Sequence, residues 1–203
     1  MEDNATMNRP LMVVLGAATF AFLAVVFFWI FKLTMHERMK TDMVQPEKVA
    51  SFIQAILEAN RTNYTENVVV KLQREGIDAH EHWKDERGVA LPAQYLMESG
   101  RLVALKNLDF SFRLASLTPI YVWNGANTDM ERLGLAAIEQ NPDRPYYGFL
   151  MKDGKRYFQA IYADRATSQA CVDCHNSHPN SPRHDLKLND VLGGIVITFP
   201  VGE

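Results

Sequence analysis

The sequence predicts an α+β protein with an apolar helix ahead of it. Three observations point there. Leu11–Phe31 is a 21-residue run without a charged side chain. From Val49 to Leu72, apolar residues recur at threes and fours, the spacing of an amphipathic helix. Beyond Gly76, alternating apolar stretches, turn signals and short helix-like segments follow one another, as in an antiparallel sheet mixed with helices.

Composition bounds the function. The 203 residues are 47% hydrophobic and 22% charged, ordinary for a globular chain apart from the one apolar run. The formal charge of −3 argues against nucleic acid as a partner, since such partners are usually basic.

Residues 1–10 are polar and are read as a short tail. As a helix, Leu11–Phe31 would be about 31 Å long, enough to cross the hydrocarbon core, and Trp29 and Lys32 suit the far interface. A cleaved signal peptide is the competing reading. Its apolar region would be too long, and no small-x-small site follows Phe31, so a retained transmembrane anchor over residues 11–31 is expected. Residues 32–45 form a charged juxtamembrane link. Pro46 suits the first turn of a new helix. Val49, Phe52, Ile53, Ile56, Leu57, Tyr64, Val68 and Leu72 mark that helix to about Arg74, with Gly76 as its stop. Its stripe can be buried in its own fold or against a second copy, so a homodimer is one expectation.

Residues 77–89 read as a polar loop with His80, His82 and Trp83. Residues 91–100 read as a short helix with Pro92 in its first turn and Gly100 as its stop. The alternation Leu108, Phe110, Phe112, Leu114 predicts a half-buried strand within residues 104–117. Thr128-Asp129-Met130-Glu131 is a T-x-x-E capping box, opening a helix that carries Met130, Leu133, Ala137 and Ile138 and ends at Asn141-Pro142. Residues 147–151 and 156–162 flank Asp153-Gly154, a hairpin with a tight primed turn. Residues 176–185 are rich in Pro, Asn and Ser and read as irregular, and Val191–Phe199 is a last apolar strand entered through Gly193-Gly194. Residues 46–203 are therefore expected to form one domain.

The chemistry lies just ahead of that strand, in Cys171-Val172-Asp173-Cys174-His175. C-x-x-C-H is the attachment signature of a c-type haem. Each of two thiols three residues apart can add to one vinyl group of the porphyrin, and the adjacent His175 can donate a nitrogen to the iron as proximal ligand. The chain has two cysteines, so none is spare for a structural disulfide. A zinc site would need further ligands on a helix or hairpin, whereas His178 and His184 follow in the irregular segment. A thioredoxin-like pair would open a helix after a strand in a βαβ unit, which the pattern lacks. One covalent haem, held through two thioethers, is the expected cofactor.

The distal ligand is expected to be weak, or absent in one redox state. Candidates are Tyr64, His80, His82, Met97 and Met130. Each has a plainer reading: the methionines as core and the loop histidines as solvated. Arg61, Arg113, Arg165 and Arg183 are candidate propionate partners, since a guanidinium matches a carboxylate in bidentate fashion. His178 and His184 could hydrogen-bond a propionate or the His175 carbonyl, with loop solvation as the default. Phe110, Phe112, Trp123, Tyr157 and Phe158 could wall a macrocycle or fill the core.

The chain also resembles a known group. Leu91-Pro92-Ala93, Arg113-Leu114-Ala115-Ser116, the stretch 124–131, the Tyr146-Tyr147 hairpin, the A-C-V-D-C-H of residues 170–175 and the stretch 190–195 are similar to the Tll0287-like haem domain family. The resemblance implies a PAS-like antiparallel sheet domain carrying one c-type haem, following the transmembrane helix and the long amphipathic helix. It implies either electron transfer or sensing of redox state or a small gas. In some members a cysteine on the first long helix is the second axial ligand. This chain has no third cysteine, and the corresponding region lies around residues 60–64.

Orientation sets two rules against each other. Arg9 precedes the run, while Lys32, Arg38 and Lys40 follow it, so the positive-inside rule would leave the C-terminal domain in the cytoplasm. Covalent haem attachment requires the outward compartment, and that requirement is given precedence. The expectation is a single-pass protein of the bacterial inner membrane with its C-terminal domain in the periplasm. Its function is then to pass single electrons to or from a redox partner protein or membrane complex; the alternative is a haem-based redox or gas sensor acting through a partner. No acid–base constellation accompanies the motif, so an enzyme is not expected.

Overall fold

The computed structural model describes the backbone of residues 9–42 and 44–202 and the side chains of residues 19–35 and 44–202. The chain divides into two compact units, Met1–Gln45 and Pro46–Glu203.

The first unit is helix α1, Arg9–Asp42. The expected juxtamembrane link is thus largely helical. Its described side chains are almost all exposed, among them Phe20, Phe22, Phe27, Phe28, Trp29 and Phe31. Lys32 lies over the Trp29 ring, 5.8 Å from its centroid. Among the described residues, no helix is long and apolar enough to cross a membrane. The expected span over Leu11–Phe31 lies partly outside the described side chains, which begin at Thr19.

The second unit begins with α2, Pro46–Tyr64. A π turn, Thr65–Val69, leads into α3, Val70–Arg74. The amphipathic pattern placed this helix, and Gly76 ends it at φ +76°, where a β-carbon is disfavoured. The remaining elements are α4 (Pro92–Ala104), β1 (Ser111–Ala115), a 3₁₀ turn (Val122–Asn124), α5 (Asp129–Gln140), β2 (Tyr146–Lys152), β3 (Lys155–Arg165), α6 (Gln169–Ser177) and β4 (Val191–Pro200).

The strands form one antiparallel sheet in the order β1-β4-β3-β2. Long α2 and short α4 cover one face. There Leu57 and Leu96 pack with Phe112, Ile195 and Ile197, and Ala50 packs on Phe158 and Ala160. On the other face, Leu135 and Ile138 of α5 pack on Ile161 and Val196. Alternate residues of β3 and β4 thus feed two cores, which is why both strands read as nearly continuous apolar runs. The β2–β3 hairpin turns through Asp153 (φ 51°) and Gly154 (φ 73°), the primed turn that Asp-Gly predicts.

Four sequence expectations change. Gly100 does not stop α4 but lies within it. A β-carbon there would come within 2.5 Å of the Phe112 carbonyl oxygen, so this glycine lets α4 cross β1 closely. The strand predicted within 104–117 is confined to Ser111–Ala115, because Asn107 and Asp109 adopt left-handed backbone and leave Leu108 66% exposed. Leu133 points outward at 61% exposure, and α5 turns Glu131, Gly134, Leu135 and Ile138 inward instead. The capping box is half formed. The Thr128 hydroxyl accepts from the Glu131 amide at 3.1 Å, but the Glu131 carboxylate reaches past Thr128 to the Asn127 amide, 2.6 Å, and to Arg113, 2.7 Å. A half-buried arginine partner outcompetes the local cap.

Candidate functional site

β3 ends at Arg165, and the chain turns through Ser168 into α6, which carries the C-x-x-C-H run. Helical spacing places Cys171, Cys174 and His175 within one face, at i, i+3 and i+4. Val172 is buried beneath the helix, and Asp173 and Ser177 point to solvent on the far side. Both cysteines are free and half-buried. The Cys171 sulfur lies 3.1 Å from the Ser168 hydroxyl. Burial, with the Glu81 carboxylate and Cys171 nearby, raises the Cys174 thiol above its ordinary value and keeps it protonated. Burial also lowers His175, so its imidazole is neutral and its unprotonated ring nitrogen can serve as a donor to a metal.

Two polar groups flank this face. On one side, the Arg61 guanidinium of α2 pairs with Asp164 of β3 at 2.5 Å. Burial works against the charged guanidinium, but Asp164 outweighs it and raises Arg61 further; the field of Cys171 acts in the same direction. Asp164 also favours the charged form of His175, against the larger effect of burial.

On the other side lies Glu81. Its carboxylate accepts a hydrogen bond from the Tyr121 hydroxyl. His178 Nε2 lies 3.3 Å from the same oxygen, and His82 Nε2 lies 3.4 Å from the other. The Tyr121 bond is the main reason that the Glu81 carboxyl sits below its ordinary range. The same bond pushes the Tyr121 phenol up to about 12. Tyr121 stacks on Trp123, with centroids 4.8 Å apart, and meets the His178 ring edge-on at 5.7 Å.

The remaining candidates are engaged in different ways. Tyr64 donates to the Ala90 carbonyl at 2.8 Å and stacks on Tyr95 at 4.2 Å. Burial raises its phenol and keeps it neutral. The His80 ring rests on Gly88 and lies 3.3 Å from the Arg87 carbonyl. His82 is exposed beside Glu81. Met97 is half-buried on α4. Met130 covers Gly148, where a β-carbon would meet its methyl at 2.5 Å. Gly148 pairs with Gln159, roughly 20 Å along β3 from the strand end that leads into α6.

Arg113 is taken by Glu131, Arg165 by Asp143 and Arg183 by Asp185. Phe112, Tyr157 and Phe158 are buried in the core, Phe110 packs against it, and Trp123 is exposed on its stack with Tyr121. His184 Nδ1 lies 2.6 Å from the Asn176 carbonyl, one residue beyond His175. His178 is a correction: the loop histidine expected in solvent is only 13% exposed, held against Glu81. Among the described residues, no group of three or more His, Cys, Asp or Glu could hold a metal ion without further donors.

Glu81, Tyr121 and Asp164 had no place among the sequence candidates. Glu81 stands between two histidines that drew attention to themselves, and Asp164 reads as an ordinary polar strand end. Only the folded arrangement brings them beside α6.

The donor set suits a porphyrin: two free thiols and a neutral imidazole on one helical face, with an arginine at one side. In comparisons with known proteins, the profile of the Tll0287-like family matches residues 36–200. Among solved structures, the chain is similar to the cyanobacterial heme-protein Tll0287, at 13% identity and a TM-score of 0.48, covering 79% of this chain and 99% of that one. No curated protein matches the chain.

Proposed function

This chain belongs to the Tll0287-like family, and from that membership we propose that it is a monohaem c-type cytochrome moving single electrons. The observation that carries the proposal is the single face of α6 on which Cys171, Cys174 and His175 converge, with both thiols free and the imidazole neutral. Each thiol would add its S–H across one vinyl C=C, giving a thioether and consuming no other reagent. His175 would supply the proximal nitrogen. Bound haem supplies a one-electron couple. Arg61 sets a cation beside the site and can share its guanidinium with a propionate. We regard the protein as a carrier rather than an enzyme.

The uncharged run Leu11–Phe31 and the exposed phenylalanines of α1 support a single-pass anchor in lipid. Haem attachment then argues for a bacterial inner membrane with the Pro46–Glu203 unit in the periplasm, facing a redox partner protein or membrane complex. Phe52 and Ile56 of α2 are exposed and support a homodimer as a further option. The test of the haem reading is the mass of the mature protein after acid–acetone extraction. Added mass equal to one haem supports it, and bare polypeptide mass overturns it.

One observation favours the sensor reading. Of the five distal candidates, Tyr64 is committed to Ala90, His80 to its own loop and Met130 to Gly148, so these three would not serve as a sixth ligand as they are placed. Carbon monoxide binding to the reduced protein would favour sensing, and a ligand-inert, low-spin spectrum would favour electron transfer.

A further inference from the structure

We propose that Glu81 is the positioning residue of this site: it fixes the last turn of α6, and with it the orientation of His175, through His178, and places a negative charge beside the second cysteine. The inference rests on the haem reading and extends it.

Glu81 draws three distant segments together. Its backbone carbonyl accepts from the Gln94 side chain at 2.9 Å, which ties the 77–90 loop to α4. Its carboxylate takes the Tyr121 hydroxyl and lies 3.3 Å from His178 Nε2. His178 is the C-cap of α6, and its amide donates to the Cys174 carbonyl at 3.0 Å. The ring is held at its other nitrogen too, where His178 Nδ1 accepts from the Asn180 amide at 3.1 Å. With both ring nitrogens engaged and one edge against Tyr121, the imidazole has no freedom to rotate. The turn that bears Cys174 and His175 is pinned through it to α4 and to the 3₁₀ turn.

Two consequences separate geometry from charge. Glutamine at position 81 keeps an acceptor for Tyr121 and His178 but removes the charge. Alanine removes both. A fixed negative charge near the iron stabilises its oxidised, more positive state, so either change raises the midpoint potential. Only loss of the acceptor frees His178 and tilts His175.

The test uses the full chain with haem attached, as wild type, Glu81→Gln, Glu81→Ala and His178→Ala. Potentiometric titration and the electron paramagnetic resonance spectrum of the oxidised form are recorded for each. The histidine ring ¹⁵N shifts of the haem-free forms are recorded alongside. Glu81→Gln is expected to raise the potential with wild-type g-values. Glu81→Ala and His178→Ala are expected to shift the g-values, and Glu81→Ala to move the His178 ¹⁵N shifts without haem. Wild-type g-values in both alanine variants, or g-values in Glu81→Gln displaced as far as in Glu81→Ala, overturn the proposal. If Glu81→Ala does not fold, Glu81→Gln and His178→Ala decide the matter. A wild type that never acquires haem overturns the haem reading instead, and the ¹⁵N shifts then decide the hold of Glu81 on His178 by themselves.

Discussion

Gly193 and Gly194 open β4 side by side, and alanine at each should have unequal effects. A β-carbon at Gly193 would fall inside the van der Waals envelope of the Ala115 carbonyl oxygen and come 3.2 Å from the Ser116 β-carbon. The backbone oxygen belongs to β1, which is hydrogen-bonded to β4, so it cannot withdraw. At Gly194 the three neighbours are side-chain methyls of Ile138, Ile161 and Leu135, each at 2.9 Å. Those can shift by small rotations. Overpacking costs about 1–3 kcal/mol, and replacing glycine recovers roughly 0.4–1 kcal/mol of unfolded-chain entropy. Gly193→Ala should therefore lose about 2–3 kcal/mol and Gly194→Ala about 0.5–1 kcal/mol. For a unit of this size, 1 kcal/mol corresponds to roughly 2–4 °C. Gly193→Ala should melt about 2–10 °C below Gly194→Ala in far-ultraviolet circular dichroism. A Gly193→Ala protein as stable as Gly194→Ala would refute the claim that a fixed backbone oxygen, rather than crowding in general, sets the requirement. Gly193 pairs with Asp164, so the same variant should also disturb the Arg61–Asp164 contact beside α6.

Further outcomes follow from the site and its supports. Cys171→Ser/Cys174→Ser should abolish haem that survives acid–acetone extraction, while each single variant keeps one thioether, read by mass spectrometry. Arg61→Met should destabilise the Pro46–Glu203 unit by about 3 kcal/mol, because it leaves buried Asp164 without its cation; adding Asp164→Asn should recover part of that in chemical denaturation. Tyr121 holds the Glu81 carboxyl below its ordinary range, so the stabilisation is complete above that range and is lost as pH falls through the lowered value. The melting-temperature gap between wild type and Glu81→Gln should accordingly be widest at neutral pH and narrow below about pH 4. Thr128→Ala should cost about 1 kcal/mol, measured by thermal melts, since the hydroxyl caps the Glu131 amide.

Local signals in the sequence located most of the elements. The 3.6-residue stripe of α2, the Asp153-Gly154 turn and the β4 run each rest on contacts close along the chain. Misreadings arose where a distant partner decides. Gly100 looks like a stop until β1 is laid beneath it, and Leu133 looks buried until Glu131 is drawn inward by Arg113. The same holds at the site. C-x-x-C-H is contiguous and readable, whereas Glu81, Tyr121 and His178 are far apart in sequence and meet only once the 77–90 loop folds over α6. Asp164 is likewise recognisable only through Arg61, which lies on another element.

The π turn at Thr65–Val69 has a consequence for helical phase. At about 100° per residue, a regular helix would carry Val69 roughly 120° away from Leu57 around the axis. A wider turn advances less per residue, and five such residues give back roughly a quarter turn. Val69 thereby comes back to within about 30° of the azimuth of Leu57, and both are buried. The irregular turn keeps one apolar seam aligned along α2 and through the turn to Val69; removing a single residue from it would rotate everything downstream, including the entry to the loop that delivers Glu81.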